Sequence, residues 1–257
     1  MIGGANPVVL GLDTATAATA VALRLGDGST AQLRDDPRPG DHPGHATRLL
    51  EMAHELLARA DVAWKDVDRI AVGVGPGTFT GLRVGVATAR GLAQSLSAEL
   101  VGVSSLQALA AAALEGEEQS HTDSILAVID ARRGEVFAAA YERSASGAPP
   151  RELTAPRALA PEQLTGVLAS AQAEDRVRRW LALGDGAVRY SEHVQLAGVP
   201  CVPAASPLQS VSAATISQLG AWATPAGSWD EIVPDYRRRP DAELALEGAQ
   251  TGSVSST

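Results

Sequence analysis

Val74-Gly75-Pro76-Gly77-Thr78-Phe79-Thr80-Gly81-Leu82-Arg83-Val84-Gly85 is the stretch that decides the fold, because it leads from a predicted strand into a predicted helix. The apolar run 69–74 enters it and is typical of a buried strand. The stretch looks like a phosphate-binding loop, but Gly77 and Gly81 are separated by three residues rather than four, and Leu82-Arg83 replaces the required Lys and Ser or Thr. We interpret it as a sharp strand-to-helix turn.

The helix predicted over 80–97 has few bulky side chains on one side. Its apolar stripe comprises Leu82, Gly85, Val86, Ala89, Leu92, Ala93 and Leu96, and its small side comprises Gly81, Val84, Thr88, Gly91 and Ser95. Gly inside a helix costs about 1 kcal/mol relative to Ala, so close packing must offset the cost at Gly85 and Gly91. A helix that is apolar nearly all round is buried nearly all round, and we expect this one to lie between its own sheet and a partner subunit.

Composition restricts the class of protein. The 257 residues suit one large or two modest domains, and 45% hydrophobic residues suffice for a core. A net charge of −9 disfavours direct binding of nucleic acid. Cys201 is the single cysteine, so an intrachain disulfide is excluded. The N-terminus lacks a basic segment and no apolar run reaches membrane-spanning length, so we expect a soluble cytoplasmic protein.

The pattern of a hydrophobic strand, an aspartate and a hairpin occurs twice, at Asp13 and at Asp130. Such an internal repeat suggests duplicated lobes. We therefore predict an N-terminal lobe over 1–114, a C-terminal lobe over 115–247 and a disordered tail over 248–257.

Three further segments complete the predicted organisation. Residues 45–60 form an amphipathic helix, and residues 145–156, rich in Ala, Pro, Ser and Gly, form a loop. Residues 207–223 are predicted to be helical and to pack back on the first lobe.

Four motifs together identify a known family. They are Leu12-Asp13-Thr14-Ala15-Thr16, the 75–85 stretch, Ile129-Asp130-Ala131-Arg132-Arg133-Gly134-Glu135-Val136-Phe137 and Pro234-Asp235-Tyr236-Arg237. From Val8 to about Glu243 the chain resembles the TsaB (YeaZ) family, whose members are non-catalytic dimerisation subunits in bacterial tRNA N6-threonylcarbamoyladenosine synthesis. The resemblance implies an α/β, two-lobed actin/Hsp70-like (ribonuclease H-like) fold, each lobe a mixed sheet flanked by helices.

The same resemblance implies partners rather than an activity of this chain alone. It implies pairing with the catalytic paralogue TsaD, work with the ATPase TsaE, a homodimer when the chain is alone, and contact with tRNA only through the complex. It also implies that the label peptidase M22 or glycoprotease can accompany such sequences. For the basic run Arg237-Arg238-Arg239, a solvated segment and a contact with tRNA or an acidic partner both stay open.

Members of this fold that bind ATP have an Asp-x-Gly turn in each lobe. Here the turns are Asp13-Thr14-Ala15 and Asp130-Ala131-Arg132, and both lack the glycine. With Gly184 and Gly186 in a turn that resembles an adenosine contact, Asp13, Thr14 and Asp130 form a predicted vestigial nucleotide site. No cofactor is expected, and weak binding of ATP or ADP stays open.

The predicted role is architectural, with helices 45–60 and 80–97 packing against the equivalent pair of a partner. The predicted interface residues are Leu49, Leu50, Ala53, Leu57, Gly81, Leu82, Gly85, Ala89 and Gly91. On this interpretation Gly85→Leu disrupts pairing and leaves the isolated chain folded.

Two other classes remain open on sequence alone. An ATP-dependent small-molecule kinase of the same fold predicts intact glycine turns. A metallopeptidase predicts two histidines at i and i+4 on the first long helix, but Ala46, Leu49 and Ala58 follow His42, His45 and His54 at that spacing. We expect no metal ligands and no catalytic residues, and His45 is expected to cap or pack the helix start.

Overall fold

A computed structural model describes residues 6–38, 40–115, 121–144, 148–172 and 178–237 of the chain. These residues form two lobes, each a mixed β-sheet flanked by helices. The predicted α/β two-lobed fold class is therefore confirmed. The predicted tail, 248–257, lies outside the described residues.

The first lobe contains a five-stranded sheet. Its elements are β1 (Val9–Asp13), β2 (Thr19–Arg24), β3 (Thr30–Asp35), α1 (His45–Arg59), β4 (Arg69–Gly75), α2 (Phe79–Leu96), β5 (Glu99–Ser104) and α3 (Ser105–Glu115). The strand order is β3-β2-β1-β4-β5, with β2 antiparallel to β1 and β3 and with β4 parallel to β1 and β5. Helices therefore have to connect the parallel strands, as α2 does between β4 and β5.

Successive side chains of β1 point to opposite faces of the sheet and therefore pack in two different cores. Leu10 and Leu12 lie in the cluster formed with α1 and α2. Val9 lies in the cluster on the opposite face, which also contains residues of α3 and of the second lobe. Both faces of this strand are buried, so its sequence is apolar throughout rather than alternating.

The second lobe contains a four-stranded sheet in the order β8-β7-β6-β9. Its elements are β6 (Ser124–Arg132), β7 (Glu135–Glu142), β8 (Arg151–Leu159), α4 (Leu164–Ala171), β9 (Trp180–Leu183), α5 (Asp185–Arg189), α6 (Ser191–Leu196) and α7 (Ala213–Trp222). The strands β6, β7 and β8 are antiparallel neighbours, and β9 is parallel to β6.

The last helix, α7, returns to the first lobe and packs on β1, β2 and β4. Glycine makes this approach possible, since a Cβ atom on Gly11 would lie 2.6 Å from the carbonyl oxygen of Ala213. A Cβ atom on Gly220 would lie 2.4 Å from Cβ of Ala71. The helix and the sheet are thus in direct backbone contact.

Two predicted segments need correction. Residues 151–156 of the predicted loop belong to the edge strand β8, because pairing with β7 supplies hydrogen bonds that local composition does not indicate. The helix predicted over 207–223 is a 3-10 turn, Pro207–Gln209, followed by α7 from Ala213. None of the helices in the described part of the chain is long and apolar enough to cross a membrane.

Candidate functional site

The carboxyl group of Asp13 lies at the end of β1 and is enclosed by the chain. Asp13 is 2% exposed, and one carboxyl oxygen, Oδ2, accepts a hydrogen bond from the backbone N–H of Ala15 at 3.3 Å. The other, Oδ1, has no hydrogen-bond partner among the described residues. Burial raises the pKa of Asp13 to about 7, more than the Ala15 hydrogen bond and the charge of Arg34 lower it.

Glycines from the 73–85 region surround the turn at Asp13, Thr14 and Ala15. A Cβ atom built on Gly73 would lie 2.1 Å from Asp13 Oδ1, and one on Gly77 would lie 2.2 Å from the Ala15 carbonyl oxygen. A Cβ atom on Gly81 would lie 1.9 Å from the Thr14 carbonyl oxygen, and one on Gly85 would lie 2.3 Å from Thr14 Oγ1. No L side chain fits at such distances. The glycines therefore serve contact within the chain.

Hydrogen bonds fix this contact. The Thr14 hydroxyl donates to the carbonyl oxygen of Gly81 at 2.7 Å, and the N–H of Thr78 donates to the carbonyl oxygen of Ala15 at 2.7 Å. The turn after Asp13 therefore holds the loop before α2 through the Thr14 hydroxyl and the Ala15 carbonyl oxygen.

In the second predicted turn, the carboxylate of Asp130 forms ion pairs with two arginines. Asp130 is 8% exposed, and its Oδ2 atom lies 3.2 Å from the guanidinium of Arg132 and 3.4 Å from that of Arg189. Its Oδ1 atom accepts a hydrogen bond from the N–H of Arg132 at 2.9 Å. The Asp130 carboxylate is thus paired with two guanidinium groups, whereas the Asp13 carboxylate is buried without such a pair among the described residues.

The glycines of the turn before α5 face strand β6. Gly184 has a φ of +108°, and a Cβ atom on it would lie 2.0 Å from the carbonyl oxygen of Val128. A Cβ atom on Gly186 would lie 2.7 Å from the carbonyl carbon of Ile129. These glycines allow α5 to lie directly on β6. Close packing within the lobe is therefore a sufficient reason for glycine at both positions.

An open pocket of about 410 Å³ lies beside this turn. Its lining includes Asp130, Arg132, Asp185, Arg189, Gln209 and Ser210. The Asp185 carboxylate accepts from the N–H of Asp130 at 2.9 Å, and burial raises its pKa. Gln209 accepts from the N–H of Gly184 at 2.6 Å. The polar groups of the pocket are thus largely paired with one another.

The predicted interface residues lie mostly in the core of this chain. Leu49, Ala53, Leu57, Gly81, Leu82, Gly85 and Ala89 are buried, whereas Leu50 and Gly91 are exposed. The buried side chains fill the space between the helices and the sheet, so they cannot form the contact surface of a partner. The prediction was wrong about which side of each helix is available, because periodicity does not say what covers an apolar stripe.

The structure changes the expected result for Gly85→Leu. A Cβ atom at Gly85 would lie 2.3 Å from Thr14 Oγ1, so we expect leucine there to destabilise the isolated chain and not only the pairing. Gly91 is different, since a Cβ atom built there meets nothing within 4 Å.

Small residues nevertheless remain on the outer side of α2. Val84 and Thr88 are half-buried, and Gly91 and Ser95 are exposed. On α1, Leu50 is 46% exposed. The opposite side of α1 lies against β3, where Arg48 pairs with Asp35 at 3.6 Å. Leu50 comes two positions after Arg48 and therefore lies on a different side of α1 from the Arg48–Asp35 pair, and α1 also packs against α2.

The histidine at the start of α1 packs inside the lobe. His45 is 5% exposed, and its Nδ1 atom lies 2.9 Å from the hydroxyl of Thr19. Burial lowers its pKa, more than Asp35 raises it. Over the described ranges, no group of three or more His, Cys, Asp or Glu side chains could hold a metal ion.

One cluster was not assigned from the sequence. The Arg83 guanidinium lies 3.7 Å from the ring centroid of Phe79, and the rings of Phe79 and Tyr236 are 5.1 Å apart. The motifs at 75–85 and 234–237 contain these residues, but nothing in the sequence indicates that the two motifs meet.

The chain is similar to proteins of tRNA threonylcarbamoyladenosine synthesis. The family model described as "TsaD: tRNA N6-adenosine threonylcarbamoyltransferase" matches residues 42–179. The protein named tRNA threonylcarbamoyladenosine biosynthesis protein TsaB from Escherichia coli (strain K12) is 37% identical over 139 residues, which are 54% of this chain and 57% of that protein. The protein of the same name from Bacillus subtilis (strain 168) is 34% identical over 52% of this chain and 55% of its own length.

Longer matches exist as well. An uncharacterised protein of Mycobacterium tuberculosis (strain H37Rv) is 32% identical over 91% of this chain and 93% of its own length. The solved structure titled "YeaZ from Pseudomonas aeruginosa" superposes with a TM-score of 0.71 at 28% identity, covering 90% of this chain and 99% of that one.

The two mixed sheets flanked by helices define a two-lobed protein of the actin-like fold class. Within that class, the chain belongs to the TsaB (YeaZ) family. The matched region spans about half the length of the curated TsaB relatives.

Proposed function

We propose that this chain is a non-catalytic scaffold subunit in the synthesis of N6-threonylcarbamoyladenosine in tRNA. It pairs with a TsaD-like catalytic paralogue, works with a TsaE-like ATPase, forms a homodimer when alone and contacts tRNA only within the complex. It needs no cofactor of its own. Family membership supports the pathway, since the curated relatives are named for this biosynthesis.

The turns at Asp13 and Asp130 support the non-catalytic part of the proposal. Asp13 is enclosed by glycines of the chain, and Asp130 is neutralised by Arg132 and Arg189. One acidic group is enclosed and the other is paired with arginines, and on this proposal chemistry on a nucleotide comes from another subunit. A kinase of this fold would need both carboxylates accessible to a metal ion.

The outer sides of α1 and α2 support the pairing. Leu50 of α1 is an exposed apolar side chain, and α2 presents small residues, with Val84 and Thr88 half-buried and Gly91 exposed. We assign these four residues to one pairing face. Small residues allow another helix to approach closely. An exposed leucine on the same face is an apolar anchor that a partner can bury.

The test is co-purification of the full chain with the paralogue of the same organism that matches the TsaD family model. Leu50→Glu is expected to abolish pairing, because it places a charge at the centre of the face. Leu196→Glu is the matched control, since Leu196 is 82% exposed on α6 in the other lobe. Equal pairing of both variants would refute the interface. ATP turnover by the isolated chain would refute the scaffold role.

A further inference from the structure

The surface of α2 beside the small residues is covered by the end of the described chain, residues 226–237, which we call the strap. Arg83 and Arg90 lie on one strip of α2 at helical spacing. Arg83 Nε donates to the Tyr236 hydroxyl at 2.9 Å, and Arg90 Nη2 donates to the Asp230 carbonyl oxygen at 2.6 Å. The strap therefore runs along α2, and Tyr236 lies at the helix start.

The strap is also bound to the edge of the sheet. The N–H of Ala226 donates to the Leu100 carbonyl oxygen at 3.0 Å, and the N–H of Asp235 donates to the Val74 carbonyl oxygen at 2.7 Å. Between these bonds, Ile232 packs against the core of the first lobe. Both ends of the strap are thus fixed to strands, and its side chains reach α2 from a defined position.

The start of α2 has little support of its own on the outer side. Its N-cap, Thr78, makes no side-chain capping hydrogen bond. Phe79, the first residue of α2, instead contacts both the Arg83 guanidinium, 3.7 Å from its ring centroid, and the Tyr236 ring, whose centroid is 5.1 Å away and whose plane is tilted by 36°. The Arg83 guanidinium lies 5.8 Å from the Tyr236 ring centroid as well, so the three side chains contact one another. A cation over an aromatic face and an adjacent ring contact are both attractive.

We propose that the strap is a latch whose Tyr236 side chain holds the first turns of α2 in place. Thr14 fixes the inner side of this helix start through Gly81, and Tyr236 fixes the outer side. Tyr236 is a positioning residue in this device. Loss of the ring frees Phe79 and Arg83, and the first turns of α2 then open locally more often.

The latch also affects partner binding, and this consequence rests on the proposed function. The strip held by the strap lies next to Val84, Thr88 and Gly91, which belong to the face proposed for pairing. A partner that docks there needs α2 in its closed position. Opening of the first turns therefore weakens pairing by the fraction of time that the helix start is open.

Hydrogen–deuterium exchange of the full-length chain tests the latch. Tyr236→Ala and Arg83→Ala are each expected to speed exchange of amides in residues 82–88 at least tenfold, and the double variant is expected to be no faster than either single one. Tyr236→Phe keeps the ring and should stay within about threefold of the wild type. Val233→Ala is the control, because Val233 lies on the same strap and is 58% exposed.

Unchanged exchange in residues 82–88 of Tyr236→Ala would overturn the latch. A uniform rise that includes β1 and β4 would overturn it as well, because the variant would then lower global stability. The second measurement is affinity for the paralogue, expected to fall in Tyr236→Ala in proportion to the loss of the closed fraction that exchange measures and to recover in Tyr236→Phe. If the wild type does not pair at all, the proposed function fails and the exchange data still decide the latch.

Discussion

Asp13 combines complete burial with an oxygen that has no partner in the described part of the chain. Its pKa is about 7 in the folded chain and 3.8 as an ordinary carboxyl group. Below the ordinary value both states are protonated and burial has no charge penalty. As pH rises toward 7, only the unfolded state ionises readily, so the free energy of unfolding falls.

Asp13→Asn removes this penalty, because an amide resembles the protonated carboxyl. We expect the variant to be as stable as the wild type near pH 4 and more stable at pH 8, by at most about 4 kcal/mol at 1.36 kcal/mol per pKa unit. Urea unfolding at both pH values measures the difference. Asp27→Asn, at an exposed turn, should show no such gain, and an equal difference at both pH values would contradict the assignment.

Two glycines of the same helix give opposite predictions. Gly91→Ala should stabilise the chain by about 0.5–1 kcal/mol, since alanine is the better helix former and the site is open. Gly85→Ala should destabilise it by about 1–3 kcal/mol, because the new Cβ atom overlaps Thr14 Oγ1. Thermal unfolding measures both. Equal effects of the two changes would show that α2 is not seated on the first turn.

At the scale of elements, α7 depends on one arginine of β4. Arg69 Nη1 donates to the carbonyl oxygens of Gly220, Ala221 and Ala223 at 2.7, 3.0 and 3.1 Å. These carbonyl groups belong to the last turn of α7 and the residue after it, where no helical N–H is available. The side chain of Arg69 is 11% exposed, so its charge is largely shielded from water.

Arg69→Met should therefore destabilise the chain by about 1.5–3 kcal/mol, the usual contribution of a hydrogen bond to a charged group. Arg59→Met is the matched control, because the side chain of Arg59 is 61% exposed and, among the described residues, forms its ion pair with Glu55 on the same helix. The control should change stability by less than about 0.5 kcal/mol. Urea unfolding distinguishes the two, and a similar loss in both variants would refute the role of Arg69.

The elements also show how far the sequence can predict this structure. The strands at β1, β4 and β6 are continuous apolar runs, and their existence followed from this pattern. The two lobes followed from the repeat at Asp13 and Asp130 and from the family resemblance. Strand β8 was missed because it contains Pro156 and polar residues, and its pairing with β7 is a tertiary contact. The interface was misassigned for a related reason, since Gly81 and Gly85 contact a turn more than sixty residues away in sequence.

The contact between the strap and α2 was also not predicted from the sequence. Tyr236 was recognised within a motif, yet its contact with Phe79 joins segments whose separation gives no periodic signal. Sequence reasoning therefore located the residue types of the site and failed to say which of them face one another.

At the scale of the whole molecule, the two lobes share one core. The cluster around α3 and α7 contains Val9 and Ala71 of the first sheet, Ile125 and Ile129 of the second sheet, and Ile216 of α7. A shared apolar core couples the stabilities of the sheets, because neither can expose its inner face without the other.

We therefore expect the lobes to unfold in one transition. Ile216→Ala should lower the free energy of unfolding by about 2–5 kcal/mol, and the exchange-measured urea midpoints of β1 and β6 should fall together. Val167→Ala, which lies in a separate cluster between α4 and the second sheet, should lower both midpoints together as well. If instead Val167→Ala lowered the midpoint of β6 and left that of β1 in place, the lobes would be independent units, and α7 would be a contact between domains rather than part of one core.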